Sequence, residues 1–519
     1  MFGKNFELEK LKSEIKKLKN NLDLKDKENK ILKDNNKSKD EVIKDLDNNN
    51  YKEKYNTTST QLKSLIEIDK EKDIEIEELK KKVIFLEGQL ATQKVRNEKD
   101  SSNTSKPSST NGFKKVITNR REPSNKLQGG QEGHKGSTIK VENLEELLKQ
   151  PNTMVKIIDV NKTEENKNMP VETRAIVDIE ITKVVTIYKY YPNNDGKYDI
   201  PLEHNIPIQY GSTIKAMCTD LMIGANNSTD SVKSFVESIT NDVIKLSKGT
   251  LINWLKDGAN KLKPQLVSIQ KNLLNSYYVN QDESQIKING KNSNIICTSN
   301  QLYTRLWVSK SKSRKAIEEL NFLIHYLGII IKDGTDLYNG FGKLLAQCLS
   351  HILRYLKGIY DFNPHEGAKN MAELLIEIKD DRDNCIARDE KEFNSEVYKG
   401  YVVRFKEILR EWKKEWMSSN IDNNPVYEDE RKLLQRFEDT KERKEILYFM
   451  KDFKIPATNN QAEADQRPVK IKQKIGKFRS VDGAICYAEI RSCINTFKKH
   501  NLSPFDMLKR VYDGTFEPI

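Results

Sequence analysis

The chain has 519 residues, 36% hydrophobic and 32% charged, and 89 Lys and Arg against 77 Asp and Glu give it a net charge of +12. At roughly 150 residues per domain, this length predicts about three to four domains and more than one hydrophobic core. No apolar run is long enough to span a membrane, no secretory signal opens the chain, and the six cysteines are too scattered for a disulfide framework. We therefore expect a reduced, cytoplasmic protein without membrane contact.

The segment 1–98 is highly charged and carries apolar residues at alternating spacings of three and four. One stripe runs from Leu8 to Leu22, and a second runs from Ile76 to Leu90. An apolar residue every 3.5 positions is typical of helices that supercoil around each other. We expect a coiled coil that makes the protein a homo-oligomer. The alternative is a charged helix that folds back on its own chain.

Residues 99–140 lose this periodicity and are rich in Ser, Asn, Gly, Pro and basic residues, which indicates a basic, flexible linker. The segment from Thr104 to Lys140 contains eight Lys and Arg and two Glu, which gives it a net charge of +6. A cationic segment of this kind can follow DNA phosphates by releasing counterions. A plain solvated linker explains the composition equally well.

The predicted secondary structure changes twice in the middle of the chain. Residues 141–210 alternate short β-type runs with turns, which predicts a small strand-rich module. Residues 211–275 become helical, and their pattern predicts either a DNA-binding module built on a helix-turn-helix or a simple helical packing unit. Strands return from 276, and a charged helical block follows over 365–450.

Three acidic residues lie where carboxylates could meet. Asp282 and Asp333 follow apolar runs of strand type, and Glu463 follows a polar turn that opens a helix. Carboxylates on neighbouring strands and on an adjacent helix can converge on two divalent ions that act on a phosphodiester. Oxygen ligands of this kind suit Mg²⁺. The alternative is that both aspartates form turns and that Glu463 is an ordinary charge near a helix N-terminus.

Five short motifs occur in a fixed order along the chain. They are SSNTSKPSS at Ser101–Ser109, GGQEGHKG at Gly129–Gly136, DES at Asp282–Ser284, CLSHILRYLK at Cys348–Lys357 and NNQAE at Asn459–Glu463. With this series, the chain resembles the insertion-sequence sixty-six family of transposases over nearly its full length.

The resemblance implies an α/β fold with an RNase H-like catalytic core, formed by 276–364 and 451–519 and interrupted by a helical insertion over 365–450. It implies a DDE-type transposase that cleaves DNA and transfers strands at the ends of an insertion sequence. Asp282, Asp333 and Glu463 would be both the catalytic residues and the ligands of two Mg²⁺ ions, with Mn²⁺ as an alternative. The implied partners are double-stranded DNA, at the element ends and at the target, and accessory transposition proteins.

Basic residues cluster near the predicted catalytic acids. The segment from Glu463 to Arg479 has a net charge of +4, and cations beside a phosphoryl-transfer site can hold the DNA backbone. The alternative is a solvated helix face. The candidate DNA-binding residues are His351, Arg354, Arg467, Lys470, Lys472, Lys474, Lys477 and Arg479.

The chain departs from the family pattern at three points. The family carries a cysteine-based zinc finger near 141–210, but no cysteine precedes Cys218, so we expect no zinc. Ala464 stands where arginine is usual, and Gln466 stands where leucine is usual. The alternative function is therefore a catalytically decayed transposase that acts only as an oligomeric DNA-binding protein. A second alternative is a nuclease that cuts without joining.

Overall fold

The computed structural model describes most of the chain. The described residues are 13–34, 52–99, 146, 148–149, 153–158, 160, 176–179, 181–201, 204, 206–419 and 424–519. The chain divides into two units, Ile117–Ile200 and the remainder. The predicted linker over 99–140 lies outside the described residues, apart from Lys99. Within the described part, no helix combines the length and the apolar character needed to cross a membrane.

The N-terminal arm is formed by two helices. Helix α1 covers residues 13–34, and the longer helix α2 covers Lys52–Glu98. Apolar residues of the predicted stripes are buried where the helices meet, among them Ile15, Ile76 and Val83. The rest of both helices is charged and exposed, so this narrow apolar seam is what holds them together.

Ion pairs across the seam give the helix direction. Lys19 Nζ lies 2.6 Å from a Glu87 carboxylate oxygen, and Lys25 pairs with Glu75. Residue numbers rise along one helix as they fall along the other, so α1 and α2 are antiparallel within one chain. This arrangement corresponds to the fold-back alternative, and homo-oligomerisation stays a prediction.

The second unit is described only in part. Residues 146, 148 and 149 are helical, whereas its described residues from 153 onward have no regular secondary structure and mostly exposed side chains, with one tight turn in which Gly196 N donates to Asn193 O at 2.9 Å. No strand pairing occurs among the described residues of 153–201. The predicted strand meander is therefore not formed in the part of this module that the structure describes.

Four helices follow in the first unit: α3 (Ser212–Thr219), α4 (Thr229–Ile239), α5 (Lys248–Lys261) and α6 (Lys263–Leu274). Ser228 and Ser247 cap α4 and α5 by accepting a backbone N–H three residues ahead. Eight residues separate α4 from α5, longer than the three or four of a helix-turn-helix, so these two helices do not form that predicted motif. Their apolar residues belong to the same core as the sheet, and a DNA-binding role for 211–275 stays a prediction.

The central sheet has five strands in the order β3–β2–β1–β4–β5. The strands are β1 (Tyr278–Ile288), β2 (Lys291–Ser299), β3 (Thr304–Ser309), β4 (Ile329–Lys332) and β5 (Leu344–Gln347). The first three form an antiparallel meander, whereas β4 and β5 run parallel to β1. Asn289 and Gly290, both with positive φ, make the two-residue turn from β1 to β2 that such hairpins favour.

A short helix α7 (Arg314–Glu319) precedes β4. A second hydrophobic core is formed by the helices that follow β5 in the chain. These helices are α8 (Leu349–Phe362), α9 (Glu366–Ala387), α10 (Ser395–Ser418), α11 (Tyr427–Glu438), α12 (Thr440–Ile446) and α13 (Tyr448–Lys451). The buried guanidinium of Arg382 donates to the carbonyl oxygens of Phe449, Phe453 and Ile455 at 2.7–2.9 Å. These bonds satisfy the buried cation and fix the end of this helical block.

Three helices then return to the sheet: α14 (Asn460–Ile475), α15 (Val481–Lys499) and α16 (Pro504–Asp513). Helix α15 covers the edge strand β3, where Ser492 and Thr496 accept the backbone N–H groups of Leu306 and Thr304. These hydroxyls stand in for the missing neighbouring strand. The described part is thus a helix-rich α/β fold around one mixed five-stranded sheet.

Candidate active site

Asp282 and Asp333 each follow the paired part of β1 and β4 at the centre of the sheet. The parallel register pairs Asn280 of β1 with Ile331 of β4. Asp282 and Asp333 come two residues after these partners, so a register continued past the end of β4 would bring them level and on the same face. The prediction that Asp282 ends its strand is wrong, because β1 continues to Ile288. Only its pairing with β4 ends before Asp282.

Helix α14 brings the third acid to this position. The side-chain amide of Asn459, just before the helix, donates to Gln281 O at 2.6 Å, and that of Gln466 donates to Asp282 O at 2.7 Å. Both bonds tie the first turns of α14 to the backbone of β1 beyond the point where β4 has ended. Glu463 lies in the first turn, between these two anchors.

Electrostatics indicate that the three carboxylates are close. Burial, together with the charges of Glu283, Glu463 and Asp333, raises the pKa of Asp282 to about 7 against the opposing charge of Lys470. A half-buried carboxylate among other carboxylates lacks the neutralising charge that it would have in an ion pair. The structure therefore contains a concentrated negative charge that a bound cation would stabilise.

Glu283 is an additional acid at this site that sequence reasoning set aside. Its carboxylate accepts the Tyr338 hydroxyl at 2.7 Å and pairs with Lys312. Tyr338 is fully buried, and burial together with Glu283 raises its pKa. Glu283 is therefore held by neighbours on two loops, and its charge still reaches Asp282. The aromatic residue five positions after Asp333 was the sequence signal that could have revealed this contact.

The N-terminus of α8 faces Glu463. His351 Nε2 and Arg354 Nη2 each lie 3.9 Å from Glu463 Oε1. His351 is 7% exposed, and burial, followed by the charge of Arg354, lowers its pKa. The buried His351 has little surface to offer DNA, whereas Arg354 is half-buried beside the carboxylate. Both residues are therefore neighbours of the third acid.

The fold and this cluster of acids agree with a family comparison. The family model described as "Transposase IS66 family" matches residues 220–485, which cover the sheet, the second core and α14. This chain belongs to the IS66 family of transposases. Transposases as a class bind, cleave and transfer DNA strands. Among curated proteins, none matches the chain.

In this IS66-family chain, the basic residues around α14 fall into two groups. Arg467, Lys474, Lys477 and Arg479 are exposed. Lys470 and Lys472 are half-buried; the charge of Lys470 acts on Asp282, whereas burial lowers the pKa of Lys472. The exposed group is available to a DNA backbone, and Lys470 faces the carboxylates.

The two family departures next to Glu463 have different structural consequences. Ala464 is exposed, so the change from arginine alters only the surface. Gln466 is fully buried, and its amide makes the hydrogen bond to the Asp282 carbonyl described above. Asp465 between them faces away from the acids and pairs with the buried Lys499 at 2.7 Å. A leucine at 466 could not make the bond to β1, so this chain positions Asp282 through a polar contact.

Proposed function

We propose that this chain catalyses metal-dependent DNA cleavage and strand transfer at the ends of an insertion sequence. Asp282, Asp333 and Glu463 are the catalytic carboxylates in this proposal. The observation that supports it is the parallel register of β1 and β4, which ends two residues before Asp282 and Asp333, beside the helix that contains Glu463. Membership of a transposase family supports the DNA substrate.

The sheet topology supports an RNase H-like catalytic core. An antiparallel meander of three strands followed by two strands parallel to the first is the arrangement expected from the family resemblance. In this proposal the helices between Glu366 and Lys451 are an insertion between the second and third acids. Asp282 lies on a strand, Glu463 lies on a helix and Asp333 directly follows β4, and regular elements are more rigid supports than loops.

The donor chemistry fits divalent magnesium. Three carboxylates offer oxygen ligands only, and burial, together with the neighbouring acids, raises the pKa of Asp282. Asp282, Asp333 and Glu463 would hold two Mg²⁺ ions, or Mn²⁺ in their place. When bound, such ions activate the attacking oxygen and stabilise the leaving oxygen of a phosphodiester.

The remaining side chains have supporting roles. Arg467, Lys474, Lys477 and Arg479 would hold the DNA backbone beside the acids, as phosphate contacts fix the position of the duplex. Arg354 lies next to Glu463 and would orient its carboxylate or contact the scissile phosphate. Gln466 fixes the backbone of Asp282.

The decayed alternative would require a disrupted acid site. All three acids are present, and the residue that departs from the family beside them, Gln466, makes a new bond to β1. The exposed Ala464 alters the surface, which affects DNA contact more than the chemistry. These observations favour an active enzyme over a protein that only binds DNA.

The test is cleavage of a supercoiled plasmid that carries the native flanks of the coding region, with and without Mg²⁺. Asp282→Asn, Asp333→Asn and Glu463→Gln should each reduce cleavage by at least about a thousandfold while DNA binding is retained, since each removes a metal-binding charge and keeps the shape. The matched control is Asp336→Asn, an exposed acid three residues after Asp333. Wild-type cleavage by any of the three variants would overturn the assignment.

A further inference from the structure

A second set of metal-binding atoms lies beside the carboxylates. The Cys348 thiol, the His351 imidazole and the Glu463 carboxylate have ligand atoms that all fall within 4.8 Å of one another. Cys348 and His351 are buried, with 1% and 7% of their surface exposed. A thiol, an imidazole and a carboxylate differ in kind from the all-oxygen set of Asp282, Asp333 and Glu463.

Local structure presents both new donors toward Glu463. Cys348 is the N-cap of α8, and His351 lies one turn further along the same helix. The backbone of Leu349 donates to Ala457 O at 2.9 Å, which joins the start of α8 to the segment that precedes α14. The two helices that carry the three donors are therefore tied together at this point.

The Cys348 sulfur is buried, and burial raises the pKa of its thiol while hydrogen bonds from nearby backbone N–H groups lower it. Its Sγ accepts the backbone N–H of Asn459 at 3.1 Å. A position at a helix N-terminus also favours a thiolate, because the first backbone N–H groups of the helix point toward it. A bound metal would replace the thiol proton and complete this arrangement.

The imidazole of His351 has an atom available for coordination. Its Nδ1 is buried without a hydrogen-bond partner among the described residues. Burying a polar atom without a partner costs free energy, which a ligand at that atom would recover. The other ring nitrogen, Nε2, lies 3.9 Å from Glu463 Oε1.

We propose that Cys348, His351 and Glu463 form a site for a thiophilic divalent ion, Zn²⁺ by preference, with one coordination position left open. Sulfur, nitrogen and carboxylate ligands in a set of three match the open type of zinc site. Tetrahedral bonds of about 2.0–2.3 Å need ligand atoms about 3.3–3.8 Å apart, so shifts of roughly 1 Å complete the site. This proposal departs from the expectation of no zinc, which rested on the absence of cysteines at the finger position near 141–210.

Glu463 belongs to both proposed sites, and this has a consequence that rests on the proposed function. A zinc ion held by Cys348 and His351 draws the Glu463 carboxylate away from the Mg²⁺ ligands Asp282 and Asp333. Arg354 also contacts the same Glu463 oxygen at 3.9 Å, so the ion must displace that contact. Zinc would therefore compete with magnesium for one shared carboxylate.

Co²⁺ is the spectroscopic probe for this site. The full-length protein, titrated with Co²⁺, should bind one ion with a sulfur-to-cobalt charge-transfer band and tetrahedral d–d absorption, and added Zn²⁺ should bleach both. Cys348→Ser should lose the charge-transfer band, since serine keeps the size and the hydrogen bond but not the thiolate. The matched control Cys486→Ser, at a half-buried cysteine of α15, should keep it. A band that survives in Cys348→Ser, or no band in the wild type, would overturn the proposal.

Three further variants separate this site from the catalytic assignment. His351→Gln should shift the d–d bands and Glu463→Gln should weaken Co²⁺ binding by about tenfold or more, as losses of that size follow even from changes around metal ligands. Asp282→Asn should leave the cobalt spectrum unchanged, because Asp282 belongs only to the all-oxygen set. If the protein binds Co²⁺ at this site but does not cleave DNA, the proposed function alone is refuted. If it cleaves DNA but shows no such cobalt site, this inference alone is refuted.

Discussion

Asp282 shows how the surroundings of one residue determine its chemistry. On a solvated surface its carboxylate would be ionised at neutral pH, yet burial and three neighbouring acids raise its pKa from an ordinary 3.8 to about 7. Without a bound cation, the folded protein therefore favours the protonated form near neutrality. The neighbouring negative charges that destabilise the metal-free protein are the same charges that would attract a divalent ion.

We predict that Asp282→Asn stabilises the protein at pH 8 when divalent ions are absent. Because the folded pKa lies above the unfolded one, the stability linked to this group is complete below about pH 4 and is lost as the pH rises through 7. One pKa unit corresponds to about 1.4 kcal/mol. The free energy of unfolding of Asp282→Asn, relative to that of the wild type, should therefore grow by on the order of 2–3 kcal/mol between pH 5 and pH 8.

Urea unfolding of wild type and variant at both pH values measures this difference. Asp336→Asn, which changes an exposed acid of the neighbouring loop, is the control and should show no such growth. Addition of Mg²⁺ should reverse the ranking at pH 8, because the ion stabilises the wild-type carboxylate. An equal pH trend in both variants would mean that general charge repulsion, and not the surroundings of Asp282, causes the effect.

Residue identities alone were enough to select Asp282, Asp333 and Glu463 as candidates. Their convergence was not predictable from local pattern, because it depends on a parallel register between strands separated by about fifty residues. Gln466 was noted as a departure, but its bond to the Asp282 carbonyl requires knowing how α14 lies on β1. Glu283 was set aside because it follows Asp282 directly, and only the buried Tyr338 reveals its involvement.

Helices and strands were predictable where their pattern was strong. The apolar stripes of the arm indicated helices, and the two-residue Asn289–Gly290 turn lies between two strands as hairpin chemistry requires. The stripes could not reveal which surface they contact, because the same 3.5-residue repeat serves a neighbouring chain or the same chain. The pairing of Lys19 with Glu87 answers this for the described residues.

We predict that cysteines at positions 29 and 73 form a disulfide within one chain. Asn29 Nδ2 lies 2.7 Å from Asp73 Oδ1 across the antiparallel seam, so cysteine side chains there are close enough to join. The double variant Asn29→Cys with Asp73→Cys should run as a monomer on a non-reducing denaturing gel after mild oxidation, with its mobility shifted by the internal link.

A second double variant, Asn29→Cys with Glu87→Cys, is the matched control. Position 87 lies 14 residues along α2 from position 73, which is about 20 Å along the helix axis, so no internal link should form. A dimer band as the main product of the Asn29→Cys with Asp73→Cys variant would instead indicate that α1 and α2 pair between chains. That result would support an oligomer formed through the coiled coil, and it would contradict the antiparallel pairing of α1 and α2 within one chain.

The molecule as a whole brings distant segments together around two cores. The chain leaves the sheet after β5, builds the second core, and returns through α14 to complete the candidate site. The sequence indicated the helical block over 365–450 by its charge and periodicity. It could not indicate that the helices of 211–275 share a core with the C-terminal helices, because that contact joins segments over 200 residues apart.

We predict that the exposed cations around α14 set the salt dependence of DNA binding. Arg467, Lys474 and Arg479 form no ion pair within the described residues, so their charges are free to neutralise phosphates. Replacing all three with Ala should flatten the slope of log K against log salt by about two to three units, because each phosphate contact contributes about 0.9.

The matched control removes three lysines on the helices that form the second core. They are Lys369, Lys379 and Lys414, and each already pairs with an acid on its own helix. Both triple variants lower the net charge equally, so a difference between them reports position and not total charge. Fluorescence anisotropy of a labelled duplex across a range of salt concentrations gives both slopes. Under the proposed function, the α14 variant should lose most of the salt dependence that the control keeps, because its cations lie on or just after the helix that contains Glu463. Equal slopes in the two variants would move the DNA path to another face of the protein.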